Sequence, residues 1–143
     1  MAWLLDTNVL SEIKRPRPEQ RVVQFLRTIP EEELFVSIVT MAELRFGIDL
    51  MGDTARRDSL TLWLEGTVRP MFHRRILGVG EDTLVRWKLL ADRGSKAGYT
   101  FSQPDLLLAA TADQYGLTVV SGDTTPFERA RVPVLDPWQW QDE

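Results

Sequence analysis

The sequence predicts an α/β fold in which helices flank a central, mainly parallel sheet. Three observations carry that expectation. Short runs rich in Val, Leu and Ile alternate with segments whose apolar residues recur at helical spacing, the pattern of strand-helix-strand units. Pro and Gly fall between these segments as punctuation, and no internal repeat, low-complexity tract or linker interrupts them. At 143 residues the chain is long enough to bury roughly two-thirds of its unfolded surface without staples. A single domain over residues 1–143 is therefore expected.

The elements follow in order. "MAWLLDTNVL" opens with a buried strand that stops at Leu5, and a short helix starts at Thr7 or Asn8. From about Pro18, the helical spacing of Val22, Phe25, Leu26 and Ile29 predicts a second helix, followed by the strand "LFVSIV" and a helix from Thr40. Leu60, Trp63 and Leu64 share one helical face after Asp53, and "ILGV" is a short strand. A helix from about Glu81 carries Leu84, Val85, Trp87 and Leu90, with Gly94 and Gly98 opening the loop beyond it. Pro104, favoured in a first helical turn, starts a helix that ends by Gly116. The strand "LTVVS", a turn or short helix at "TPFERA" and the strand "VPVLD" complete the chain.

Composition removes several chemistries. With no Cys there is no disulfide, thiolate nucleophile or Cys-rich zinc site, and one histidine, His73, rules out a multi-histidine metal centre. Carboxylates are the main reactive groups left. The N-terminus lacks a basic leader, and the longest apolar stretch, "LLLAATA", falls short of the ~20 residues of a membrane span, so a cytoplasmic protein is expected. The net charge of −4 argues against a polyanionic partner. That argument weakens if four acids share a metal site, because 21 − 4 leaves 17 acids against 17 bases.

In parallel α/β sheets ligands collect at the carboxyl ends of the strands. Asp6 ends the first strand, Glu43 lies one turn into the helix after "LFVSIV", Asp105 lies in the first turn of the Pro104 helix, and Asp123 follows "LTVVSG". Each has an ordinary reading: a cap at Asp6, a Thr40-x-x-Glu43 capping box, a favourable helix-dipole position at Asp105, a turn residue at Asp123. Together on one rim they would repel one another and raise each other's pKa unless a cation were present. Mg²⁺ or Mn²⁺ suits such oxygen ligands, and phosphodiester cleavage suits such a site.

Four stretches, "LLDTNVLSE", "VSIVTMAELRFG", "PDLLLAATADQYGLTVVSGDTTPF" and "VPVLDPW", give the chain its resemblance to PIN-domain ribonucleases, most closely the VapC-type toxins of bacterial toxin–antitoxin pairs. The resemblance implies a PIN-like fold and a metal-dependent endoribonuclease acting on RNA, often tRNA. It also implies a homodimer and a cognate antitoxin whose C-terminal segment covers the site. It assigns Asp6, Glu43, Asp105 and Asp123 as the Mg²⁺ or Mn²⁺ ligands, with Asn8 and Ser121 supporting them by hydrogen bonds. The chain departs from the family around Ser121-Gly122-Asp123 and Pro126-Phe127, where relatives carry an Arg and a second Asp.

Two rivals stand beside it. An Asp-based phosphatase of the haloacid-dehalogenase type needs a second Asp where this chain has Asn8; a non-catalytic PIN-like module would bind RNA or protein without cutting. His73 reads as a surface residue, and Trp63 and Trp87 as core. Trp138 and Trp140 are expected to cover a sheet edge or dimer contact. Met41, Leu44, Phe46 and Ile48 are expected in the core or a partner groove.

Overall fold

The computed structural model describes residues 1–142. Five strands, β1 (Trp3–Leu5), β2 (Leu34–Ser37), β3 (Ile76–Leu77), β4 (Thr118–Val120) and β5 (Val134–Leu135), form one sheet in the order β3-β2-β1-β4-β5. Every neighbouring pair is parallel. The chain winds outward from β1 to β3, then returns to the far side of β1 at β4. The crevice between the carboxyl ends of β1 and β4 is thus the point at which strand order reverses.

Helices cover both faces, as a parallel sheet requires. On one side Leu5, Val36 and Val120 pack with α1 (Thr7–Lys14), α2 (Gln20–Arg27) and α3 (Ile38–Asp49). Also on this side are Leu64, Val68 and Phe72, from the π turn after α4 (Thr54–Trp63) and from α5 (Arg69–Met71) and its end. On the other side Leu4 and Val119 pack against α7 (Gln103–Tyr115) and α8 (Thr125–Arg129), joined by Leu90 of α6 (Glu81–Lys96). The period of two along each strand divides these sets: Leu4 faces one layer and Leu5 the other. Each fully buried Leu or Val contributes about 1.5–3 kcal/mol.

Three expectations need correction. α3 begins at Ile38, not Thr40, because the buried Ser37 hydroxyl accepts the Val39 N–H and caps the helix two residues earlier. The Thr40-x-x-Glu43 capping box is therefore absent, and Thr40 sits inside the helix with its buried hydroxyl unpaired. Gly94 does not open a loop: α6 runs through it to Lys96, and the Phe101 ring packs where a Cβ would stand, which is why the position takes Gly. Leu84 and Val85 are exposed, and the buried face of α6 is Thr83, Leu90 and Gly94.

Trp63 and Trp87 are partly buried against the two cores. Trp140 meets Phe25 edge-on at 6.1 Å, and Trp138 lies against Gly122, where a Cβ would come within 2.9 Å of its ring. Among the described residues no helix is long and apolar enough to cross a membrane.

Candidate functional site

Asp6 follows β1 directly in extended backbone and caps α1, its Oδ1 accepting the Thr7 N–H at 2.7 Å. Its Oδ2 accepts the Ser121 hydroxyl at 2.7 Å and faces the Asn8 amide nitrogen at 3.5 Å. Ser121 follows β4, so these bonds span the crevice between the two central strands. Asn8 strengthens the same bridge. Its Nδ2 donates to Ser121 Oγ at 3.1 Å and its Oδ1 accepts the Gly122 N–H at 3.2 Å. Ser121 Oγ also accepts the Asp123 N–H at 3.0 Å, which fixes the backbone that carries that acid.

Glu43 reaches the same place from α3, where its Oε1 accepts the Thr7 hydroxyl at 3.0 Å. Asp105, third residue of α7, has its N–H bonded to the capping Ser102 hydroxyl at 3.3 Å. Asp6, Glu43, Asp105 and Asp123 all line one open cleft of about 590 Å³, together with Thr7, Asn8, Ser11, Glu12, Arg15 and Trp138. The four acids predicted from sequence are thus brought to one rim. Among the described residues, however, no group of three or more His, Asp or Glu side chains is placed so that it could hold a metal ion.

The electrostatics single out Asp6. It is only 7% exposed, and burial pushes its carboxyl above the usual carboxylate value. The Ser121 hydroxyl and the Thr7 N–H pull it back, while the charges of Asp105 and Glu43 push it further up. The buried Glu12 is occupied differently: it accepts the Glu19 N–H at 2.9 Å and pairs with Arg15 at 3.3 Å, tying down the loop between α1 and α2. His73 lies exposed before β3, at the amino end of the sheet, away from the acids.

A second groove of about 800 Å³ adjoins the cleft between α1, α3 and α4, and shares Thr7, Ser11, Arg15 and Glu43 with it. Leu44, Ile48, Met51, Leu60 and Trp63 give it an apolar floor, and Lys14 and Arg56 charge its edges. Met41 is fully in the core and Phe46 projects into solvent, so only Leu44 and Ile48 of the expected quartet reach the groove. Thr7, Arg15 and Trp138 were not singled out from sequence as cleft residues. Thr7 had a signal in its place between Asp6 and Asn8; Trp138 arrives from the end of the chain by tertiary packing alone.

The PIN domain family profile matches residues 3–133. The chain is 38% identical over 135 residues to Toxin FitB of Neisseria gonorrhoeae, covering 94% of this chain and 97% of that protein. It is 35% identical over 136 residues to VapC ribonuclease Y4jK of Sinorhizobium fredii, with 95% and 97% covered. The crystal structure of FitAcB from Neisseria gonorrhoeae contains a chain that superposes with a TM-score of 0.92 at 37% identity, covering 96% of this chain and 99% of that one.

Proposed function

The chain belongs to the PIN domain family, and from that premise we propose that it is a metal-dependent endoribonuclease, the toxin of a toxin–antitoxin pair. The observation that carries the reading is the crowding around Asp6: a buried carboxylate whose proton affinity is raised by desolvation and by Asp105 and Glu43. A site that keeps such a charge without a basic partner suits a cation. The donors that line the cleft are all oxygens, as Mg²⁺ and Mn²⁺ prefer. The names of the relatives, a ribonuclease and a toxin, support the reaction class.

In this reading Asp6, Glu43, Asp105 and Asp123 hold the ion. A bound divalent cation supplies charge neutralisation for a phosphodiester and acidifies water. The protein's part is orientation. Ser121 and the Thr7 N–H fix the Asp6 carboxylate, the Thr7 hydroxyl fixes Glu43, and the start of α7 presents Asp105 on a rigid element. Asn8, whose amide bonds to Ser121 and Gly122, has no proton to give as a general acid, which disfavours the phosphatase. The apolar groove beside the cleft is a suitable seat for an amphipathic antitoxin segment reaching towards the acids. The homodimer belongs to the same reading and is checked by light scattering of the purified chain.

The test is cleavage of a pool of structured RNAs with Mg²⁺ or Mn²⁺ and with chelator, beside Asp105→Asn. Internal cuts that need metal and vanish in the folded variant support the nuclease. RNA binding without cutting, unchanged in Asp105→Asn, favours the non-catalytic module, the reading that fits the lack of a metal-holding group of three acids among the described residues.

A further inference from the structure

On the outer side of the sheet, where α6 ends and α8 ends, lies a small pocket of about 160 Å³ lined in part by Arg93, Ala97, Tyr99, Glu128, Arg129 and Arg131. Among the described residues none of the three arginines forms an ion pair or a side-chain hydrogen bond. Three cations against Glu128 leave an excess of positive charge in this pocket with no ion-pair partner among the described residues, Arg93 also lining a neighbouring pocket that holds Asp82 and Asp113.

The surface is built rather than accidental. The Phe101 ring fills the notch left by Gly94, a residue that costs about 1 kcal/mol relative to Ala within a helix. Phe101 meets Tyr99 edge-on at 6.4 Å, and the Arg129 guanidinium lies 4.7 Å from the Tyr99 ring centre. The Tyr99 N–H donates to the Gly94 carbonyl at 2.8 Å, which holds the loop against α6. Together these make a fixed aromatic and guanidinium platform, and Tyr99 is still 38% exposed.

Arg131 adds the second clue. α8 ends in a Schellman arrangement: the Arg131 N–H donates to the Glu128 carbonyl, and the Val132 N–H donates to the Phe127 carbonyl, each at 3.0 Å. This places Arg131 at φ 59°, the left-handed position usually given to glycine. An arginine there is locally unfavourable, and its backbone role needs no side chain.

One wall leads towards the acid cleft; the other, at Arg131 three residues before β5, lies towards the amino end of the sheet. Tyr99 and Phe101 precede Asp105 by a few residues, and α8, about 7 Å long, follows Asp123. We infer that this surface holds a flanking stretch of the RNA strand, away from the scissile bond, with a base stacked on the Tyr99–Arg129 platform and a backbone phosphate at Arg131. The inference rests on the ribonuclease reading for its substrate. Stacking on aromatic and guanidinium planes combined with phosphate contacts is the chemistry by which single strands are held with little sequence preference.

The experiment measures binding of a short fluorescein-labelled single-stranded RNA of random sequence, in EDTA to prevent cutting, at several KCl concentrations. Arg131→Gly should melt higher by about 3 °C, yet bind several-fold more weakly, with a salt slope shallower by about 0.7. The combined Tyr99→Leu and Arg129→Gln variant should bind about 10-fold more weakly. Wild-type affinity and slope in both variants overturn the inference, as does a wild type that binds no RNA. Cutting by the wild type with Mn²⁺ is scored separately. Weakened binding in the variants without any wild-type cleavage keeps the cradle and removes the nuclease; normal cleavage with unaltered variants does the reverse.

Discussion

Strand β1 runs into Asp6 and strand β2, its neighbour, into Ser37. Both residues are buried, both have extended backbone, and both cap the next helix with a side-chain oxygen that accepts a backbone N–H. At Ser37 a neutral hydroxyl does this without introducing a charge. At Asp6 the same cap carries a carboxylate that burial and two neighbouring acids make hard to ionise. Capping therefore accounts for Ser37 and does not account for Asp6. The excess charge at Asp6 is what the site adds to the fold, and a cation is the partner it suits.

Several substitutions break or sharpen that contrast. The largest effect is expected from Asp6→Asn on RNA cleavage. Loss of a supporting hydrogen bond at a metal site costs 10–100-fold, so loss of the carboxylate should cost more than about 100-fold. Cleavage rates under excess Mn²⁺ measure this. Ser37→Asp places a charge at the equivalent strand end without a cation, and chemical denaturation should show a loss of about 3 kcal/mol. Asn8→Ala, which removes the bridge between Asp6, Ser121 and Gly122, should lower metal affinity or activity about 10-fold while the chain stays folded.

The smallest effect has the opposite sign. In metal-free protein at neutral pH, Asp6→Asn should raise stability by about 1 kcal/mol, because it removes a buried charge and keeps the oxygen that caps α1. The advantage depends on pH. Above its raised folded-state pKa, Asp6 is ionised in both folded and unfolded chains and its full burial cost is felt. Between that value and 3.8 the folded chain holds a proton that the unfolded chain has released, so wild-type stability falls as pH rises through the window. Below 3.8 both forms are protonated, and the gap between wild type and Asp6→Asn should close. Denaturant melts across this range test the sign.

Much of this was legible in the sequence because it is local. The strand-helix alternation gave the parallel sheet, and Asp6, Asp105 and Asp123 could be placed by the strand and helix ends beside them. What was missed depends on contacts distant along the chain. The start of α3 was hidden because Ile38 and Val39 prolong a strand-like run, and only the Ser37 cap ends it. Gly94 looked like a loop residue because its partner, Phe101, meets it across the turn. The Thr7 bond to Glu43 joins residues 36 apart, and Trp138 reaches the cleft from the last segment of the chain. Local pattern locates the acids; tertiary packing decides what orients them.

The most direct measurement compares thermal melting of wild type and Asp6→Asn over a Mn²⁺ titration, without RNA. A ligand that binds only the folded chain stabilises it in proportion to the logarithm of its excess over the dissociation constant. Wild type should start below the variant and rise past it as Mn²⁺ is added, while Asp6→Asn stays nearly flat. Equal responses in the two proteins, or none in either, would contradict the claim that the charge of Asp6 is there for a cation.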